Sequence, residues 1–278
     1  MTRDLQQPTA DNRHSYDRVA WQYDATRGWP SDVGAEIGRG LYTKLEEAAG
    51  QVPRVLEVGA GTGRVLLPLA EAGAWTVGMD VSTEMLERLG EKRDAGAECA
   101  LCIVLGDARR LPFDDGGFDA ALLVHILHLV EDWREVLDEA RRVVRPGGVI
   151  ALGMDEQQAG EDAWIEARWL AHVIEAGYKD LRLGARQAIT RQAVGCLEAL
   201  GYSSHDAILA RWTVSDTPAA RLARLRDRCF SSSWDLPDDV LIAALARLTA
   251  EMEARYGNLL AQIRRERWFR VIICRQIR

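Results

Sequence analysis

The 278-residue sequence is short of several things, and each shortage closes off a class of protein. Its five cysteines are odd in number and scattered, so they draw no disulfide framework of a small secreted domain. No run of about 18 uninterrupted apolar residues occurs, which argues against a membrane-spanning helix. The opening stretch Met1-Thr2-Arg3-Asp4-Leu5-Gln6-Gln7 lacks the apolar centre of a secretory signal, so a cytoplasmic location is expected. Basic charge is in deficit: 35 Lys and Arg stand against 42 Asp and Glu, a net −7 that is a poor footing for gripping nucleic acid. There is no internal repeat and no low-complexity tract. What remains is a globular composition, 47% apolar and 28% charged, long enough for one large domain or a domain with an added lid.

Between residues 52 and 154 strand-like and helix-like runs alternate. Val55-Leu56-Glu57-Val58 ends in a glycine turn, and 64–72 reads as a helix stopped by Gly73, with Pro68 expected to kink it. Thr76-Val77-Gly78-Met79 is a second strand, Ser82 an N-cap, Ile103-Val104-Leu105 a third strand, and 118–124 a fourth. Asp132 with Glu135 has the spacing of a capping box, opening a helix that places Val136, Leu137, Ala140, Val143 and Val144 on one face. Pro146-Gly147-Gly148 stops it, and 149–154 makes a fifth strand. Such alternation means a parallel sheet with helices on both faces. Flanking segments read as helix-rich: 11–49 before the sheet, then 162–177 and 190–200, a strand near 207–214, helices opened by Pro218 and Pro237, and a last strand over 268–274.

The turn Glu57-Val58-Gly59-Ala60-Gly61-Thr62-Gly63 lets the backbone approach a ligand closely beside a helix N-terminus, although any tight strand-to-helix turn also uses glycine. Asp80 ends the next strand about 20 residues on, where a carboxylate accepts from both ribose hydroxyls. Asp107 ends the third strand, within reach of an adenine amino group. A nicotinamide dinucleotide wants G-x-G-x-x-G, yet Arg64 stands where that third glycine belongs.

Four stretches carry a resemblance: 55–63; Gly106-Asp107-Ala108 with Leu111-Pro112-Phe113; Phe118-Asp119; and 139–148, Glu-Ala-Arg-Arg-Val-Val-Arg-Pro-Gly-Gly. In this order they resemble the class I S-adenosylmethionine-dependent methyltransferases, specifically the small-molecule group called type 11. The resemblance implies an α/β, Rossmann-like, seven-stranded and mostly parallel sheet whose last strand is antiparallel. It also implies S-adenosylmethionine as cofactor, leaving as S-adenosylhomocysteine. Glu57, Gly59, Gly61 and Gly63 would line the methionine moiety, Asp80 the ribose, and Asp107 with Ala108 the adenine. Ala60, Val81, Met85, Gly106 and Val124 complete the expected cofactor set. Tyr23 joins them from a Tyr-Asp segment (Tyr16, Tyr23-Asp24) that covers the cofactor in the family. The expected division is 1–50 as a helical cap, 51–156 as the cofactor-binding core, and 157–278 as helical lid insertions plus the last two strands.

For chemistry, His125 sits just past the fourth strand, where ligands of open parallel sheets react. It either lines the pocket or serves as general base for a hydroxyl or amine acceptor. His128 is read as structural. His125-x-x-His128 is not read as a metal site, because zinc wants three or four protein ligands and no acidic or cysteine cluster supplies the rest. Cys99-x-x-Cys102 reads as ordinary buried thiols, Asp155-Glu156 as a solvated loop, and Arg141-Arg142 and Arg264-Arg265 as solvated helix faces. Trp21, Tyr23, Trp29, Trp164, Trp169, Trp212 and Trp234 read mostly as lid core, with one or two lining an apolar or aromatic acceptor pocket. The leading expectation is in-line methyl transfer to the O or N of a small molecule, without nucleic acid or membrane as partner. The alternatives are an NAD-linked oxidoreductase, a nucleic-acid methyltransferase, and a module that only binds the adenosyl ligand.

Overall fold

The computed structural model describes residues 16–277 apart from 18, 97, 158–159, 179–184, 231–232 and 235. Two helices, α1 (Ala20–Arg27) and α2 (Ser31–Ala49), precede β1 (Arg54–Val58), α3 (Leu66–Glu71), β2 (Trp75–Asp80), α4 (Thr83–Ala95), β3 (Leu101–Leu105) and β4 (Phe118–Val124). There follow α5 (Trp133–Val143), β5 (Val144–Gln157), α6 (Glu161–Glu175), α7 (Ala185–Ala199), β6 (Tyr202–Asp216), α8 (Pro218–Arg226), α9 (Asp238–Tyr256) and β7 (Ile263–Gln276). The seven strands form one sheet in the order β3-β2-β1-β4-β5-β7-β6, mostly parallel with some antiparallel strands. Parallel registers Val58↔Met79, Val58↔Leu123 and Asp80↔Leu105 bring the carboxyl ends of β1 to β4 out along one edge.

The burial pattern explains why these segments are strands. All seven residues of β4 are buried, as a central strand covered on both faces requires. Against it α5 lays the stripe Val136, Leu137, Ala140 and Val143, joined in one core with Leu56, Val58, Leu123, Ile150 and Leu152. Each of the valine, leucine and isoleucine side chains contributes about 1.5–3 kcal/mol by leaving water.

Several local expectations change. Ser82 does cap α4, accepting the Met85 N–H at 3.2 Å. Asp132 makes no side-chain cap: at φ −91° and ψ 50° it lacks the extended backbone that aims a cap, and its carbonyl accepts the Glu135 N–H instead. Pro68 does not interrupt a longer helix. It lies in the first turn of the six-residue α3, where an N–H has little helical use. The fifth strand begins at Val144, with a register shift between Phe118↔Val144 and Ala120↔Val149 that absorbs Pro146-Gly147-Gly148. A Cβ on Gly148 would lie 2.5 Å from Val144 Cγ1 and 2.7 Å from the Asp119 carbonyl, so that fold-back needs glycine.

The chain divides into two compact units. The first comprises residues up to Met154, Arg186–Ala210 and everything from Phe269 on; the second comprises Asp155–Ala185 and Arg211–Trp268. Three of the boundaries fall within β5, β6 and β7, and the fourth at the start of α7. The second unit has its own core, in which Ile165, Trp169 and Val173 of α6 meet Leu241, Ala244, Leu248 and Met252 of α9. Arg168, bonded through two nitrogens to Glu251, ties the same helices together. Arg264-Arg265 lies on β7 rather than on a helix, and Arg265 pairs with Asp216 at 3.2 Å. Arg142 is likewise no solvated charge: it holds Glu139, Asp115 and the carbonyls of Leu111 and Phe113.

Candidate functional site

The glycine turn hangs from its neighbour strand, with the N–H groups of Gly59 and Ala60 both donating to the Met79 carbonyl, at 2.8 and 2.9 Å. Its glycines do different work. Gly63, at φ +73°, packs so closely that a Cβ would stand 2.1 Å from Leu89 Cδ1, which joins the turn to α4. Gly61, at φ +53°, faces open space: a Cβ there would meet nothing within 4 Å.

Two carboxyls define the turn's electrostatics. Asp80 accepts the Gly61 N–H at 2.8 Å on one oxygen and the Ser82 N–H at 3.0 Å on the other. Burial raises its pKa against the pull of those amides, and Asp17 adds to the rise. Glu57 is only 2% exposed, and its Oε2 has no hydrogen-bond partner among the described residues. Burial lifts its pKa to about 8, with Arg64 opposing and Asp80 reinforcing. A carboxyl held neutral in this way is primed to ionise when a cation arrives.

Asp107 emerges beside them at the end of β3, already engaged. Arg109 reaches its two oxygens at 3.1 Å and 2.7 Å, and the Arg109 N–H adds 2.9 Å. Burial alone would raise Asp107, but the guanidinium outweighs it and holds the carboxyl below its ordinary range. Ala108 packs against the main core, Met85 is buried beneath the Ser82 cap, and Val124 is the last residue of β4. His125 follows at φ +53°, a left-handed backbone that costs a non-glycine residue about 1–2 kcal/mol. With His128, Thr190, Gly153 and Met154 it lines a cleft beyond β4 and β5. His128, expected to be structural, thus shares that wall.

Other expected features are placed differently. Asp155 is buried within β5 and Glu156 accepts the Trp268 indole N–H at 2.6 Å, so this is no solvated loop: the strand runs on past Met154. Cys102 is exposed and Cys99 half-buried, neither a core thiol, because β3 is the sheet's edge. Among the tryptophans, Trp169 and Trp212 are buried, Trp164 meets Tyr256 edge-on, and Trp21 is 71% exposed rather than core. Among the described residues no three His, Cys, Asp or Glu side chains gather as metal ligands, and no helix is long and apolar enough to cross a membrane.

Residues 56–152, which contain the glycine turn, Asp80, Asp107 and His125, match a family described as a methyltransferase domain. This chain contains a class I S-adenosylmethionine-dependent methyltransferase domain. The methyltransferase domain is also found in curated relatives. The demethylmenaquinone methyltransferase of Mycobacterium marinum is 36% identical over 152 residues, and that of Clavibacter sepedonicus 37% over 153. These matches take in 53% and 55% of this chain and 61% of either relative, so the chain spans about three-fifths of the length of the relatives it matches. Among solved structures, the YcgJ protein of Bacillus subtilis has a TM-score of 0.51 at 21% identity, covering 86% of this chain and 98% of that one. The [4+2]-cyclase SpnF has a TM-score of 0.53 at 20% identity, covering 98% of both chains. Likenesses at that identity speak for the fold alone.

S-adenosylmethionine is the cofactor of such a domain, and the residues present suit it. The open space at Gly61, the buried Glu57 oxygen without a partner, and Asp80 between two amides form a cradle with acceptors for an ammonium and for hydroxyls. Sequence reasoning gave Arg64 only a negative role, as the missing glycine of a dinucleotide motif. In the structure its guanidinium lies 4.2 Å over the Trp29 ring and donates to the Arg27 carbonyl at 2.6 Å. The Asp107–Arg109 pair was available from its i,i+2 spacing and was missed.

Proposed function

We propose that the protein transfers a methyl group from S-adenosylmethionine to the oxygen or nitrogen of a small molecule. The observation that carries this is the buried, partner-short Glu57 beside an open glycine turn, at the edge where β1 to β4 end together. Glu57 would receive the ammonium of the methionine moiety and Gly59, Ala60, Gly61 and Gly63 would follow its chain. Asp80 with Val81 would take the ribose, and Gly106, Asp107 and Ala108 the adenine, with Met85, Val124 and Tyr23 around them. The bound cofactor supplies a methyl carbon activated by a sulfonium, so the protein's own work is alignment and the exclusion of water. His125 stands at the reacting edge. There it shapes the acceptor pocket or takes the acceptor's proton, and a pH–rate profile of His125→Asn separates the two roles. We assign residues 1–50 to a cap on the core, and selection of the acceptor to the helices of 157–268, the expected lid.

The relatives' name makes a demethylmenaquinone the first acceptor to try. Calorimetric titration with S-adenosylmethionine, S-adenosylhomocysteine and NAD comes first, with micromolar binding expected for the adenosyl ligands and none comparable for NAD. Tighter NAD binding would overturn the reading. Because the same fold also serves a cyclase, binding is not enough. Release of S-adenosylhomocysteine across an acceptor library decides whether transfer occurs.

A further inference from the structure

The segment ahead of the sheet is fastened to the glycine turn by its carboxylates. Asp24 accepts from the Thr62 hydroxyl at 2.6 Å with one oxygen and holds the Lys92 ammonium at 2.9 Å with the other. Asp17 accepts from the buried Ser82 hydroxyl at 2.5 Å. These two contacts bracket a single bridge. Ser82 donates its N–H to Asp80, and the other Asp80 oxygen holds the N–H of Gly61, the residue before Thr62. Asp17 therefore grips one end of the Gly61–Asp80–Ser82 bridge and Asp24 grips the other. Ser82 also caps α4, so movement at Asp17 is felt by that helix as well.

Apolar packing has a small share in the attachment, through buried Val19 and Ala20. Of the eight residues of α1 only Ala20 is buried, and Trp21 points into water. What joins the segment to the turn is polar: the two aspartates, and Arg64 on the Arg27 carbonyl and the Trp29 ring. Thr62, by contrast, is 1% exposed, and its buried hydroxyl donates to Asp24 of the segment. A buried hydroxyl left without its acceptor carries a free-energy penalty that a shift of the turn would relieve.

We infer that Asp24 and Asp17 are positioning residues: through Thr62 and Ser82 they hold the Gly61–Asp80 bridge in the geometry that receives the nucleoside hydroxyls. This rests on the reading of the site as an S-adenosylmethionine site, and the test separates the two. Asp24→Ala, Asp17→Ala, Thr62→Val and the double variant Asp24→Ala/Thr62→Val are made in the full chain, with Lys92→Met as the exposed-pair control. Amide exchange at Gly61, measured by NMR in the ligand-free protein, is expected to quicken three- to tenfold in the Asp24 and Asp17 variants, with β4 amides unchanged. The dissociation constant for S-adenosylhomocysteine is expected to rise about tenfold, and the double variant to be no worse than Thr62→Val alone. Lys92→Met should change neither. Unchanged Gly61 exchange in folded Asp24→Ala and Asp17→Ala overturns the inference, and so does a uniform rise that includes β4, which would mean general loosening. If the parent protein binds no S-adenosylhomocysteine, the proposed function fails while the exchange measurement still decides this point.

Discussion

Replacing Glu57 by glutamine should make the protein more stable in mild alkali and worse at holding its ligand. The carboxyl has an ordinary pKa of 4.5 in the unfolded chain and about 8 when folded, because burial penalises its charge. A raised pKa means that the folded state binds the extra proton between those values, so stability falls as pH rises through that window. The stability is whole below pH 4.5 and the loss is complete above about pH 8. At about 1.4 kcal/mol for each pH unit, the full difference is on the order of 5 kcal/mol. Glutamine keeps the shape and removes the titration. Urea unfolding of both proteins at pH 5, 6.5 and 8 should therefore give curves that nearly coincide at the first pH and diverge by several kcal/mol at the last, the variant being the more stable. Groups common to both proteins cancel in the difference. Calorimetry at pH 8 should show the opposite ranking, with S-adenosylhomocysteine bound about 10- to 100-fold more weakly by the variant, as for a lost bond to a charged group. Parallel stability profiles, or equal affinity in the two proteins, would refute the account of Glu57 as a carboxylate kept at a structural cost for a cationic ligand.

Three further outcomes are expected. Gly63→Ala should lower stability by about 1–3 kcal/mol, since its Cβ meets buried Leu89 and its φ is +73°, and thermal unfolding measures this. Asp119 is buried and accepts from Arg145 at 2.6 Å and the Arg54 N–H at 2.8 Å; burial opposes its ionisation but these donors outweigh it and depress its pKa. The stability it contributes is present above pH 3.8 and lost as pH falls through the lower folded value, so Asp119→Asn should cost about 1.5–3 kcal/mol at pH 7 and progressively less in acid, by denaturant titration. Arg109→Ala releases Asp107 and should tighten S-adenosylhomocysteine a few-fold; weaker binding would show that the ion pair itself shapes the adenine side.

The elements that carry the proposed donor half of the site were legible because their signals are local. Glycines between a strand and a helix, an acid at each following strand end, and Ser82 at the start of α4 are fixed by neighbours in the chain, and each stands where its spacing places it. Errors arose where tertiary context decides. Asp132 has the composition of a cap but not its backbone, and Asp155 is buried because β5 runs three residues beyond the apolar run. Arg264-Arg265 looked solvated because its partner Asp216 is 49 residues away from Arg265. Contacts such as Asp24–Thr62 and Asp17–Ser82, with separations of 38 and 65 residues, leave no trace in periodicity or spacing.

The second unit leaves the first in two excursions, and the longer one, residues 211–268, departs from β6 and returns on β7, its neighbour in the sheet. An excursion between paired strands is the cheapest place for a chain to lengthen, because the sheet already holds both ends together and closure entropy grows only slowly with length. Such a site is a natural graft point. A transplant of 211–268 from a relative would leave the glycine turn, Asp80 and Asp107 untouched in sequence. On the proposed function it offers a route to hybrid proteins that keep one donor half and exchange the segment assigned to acceptor choice.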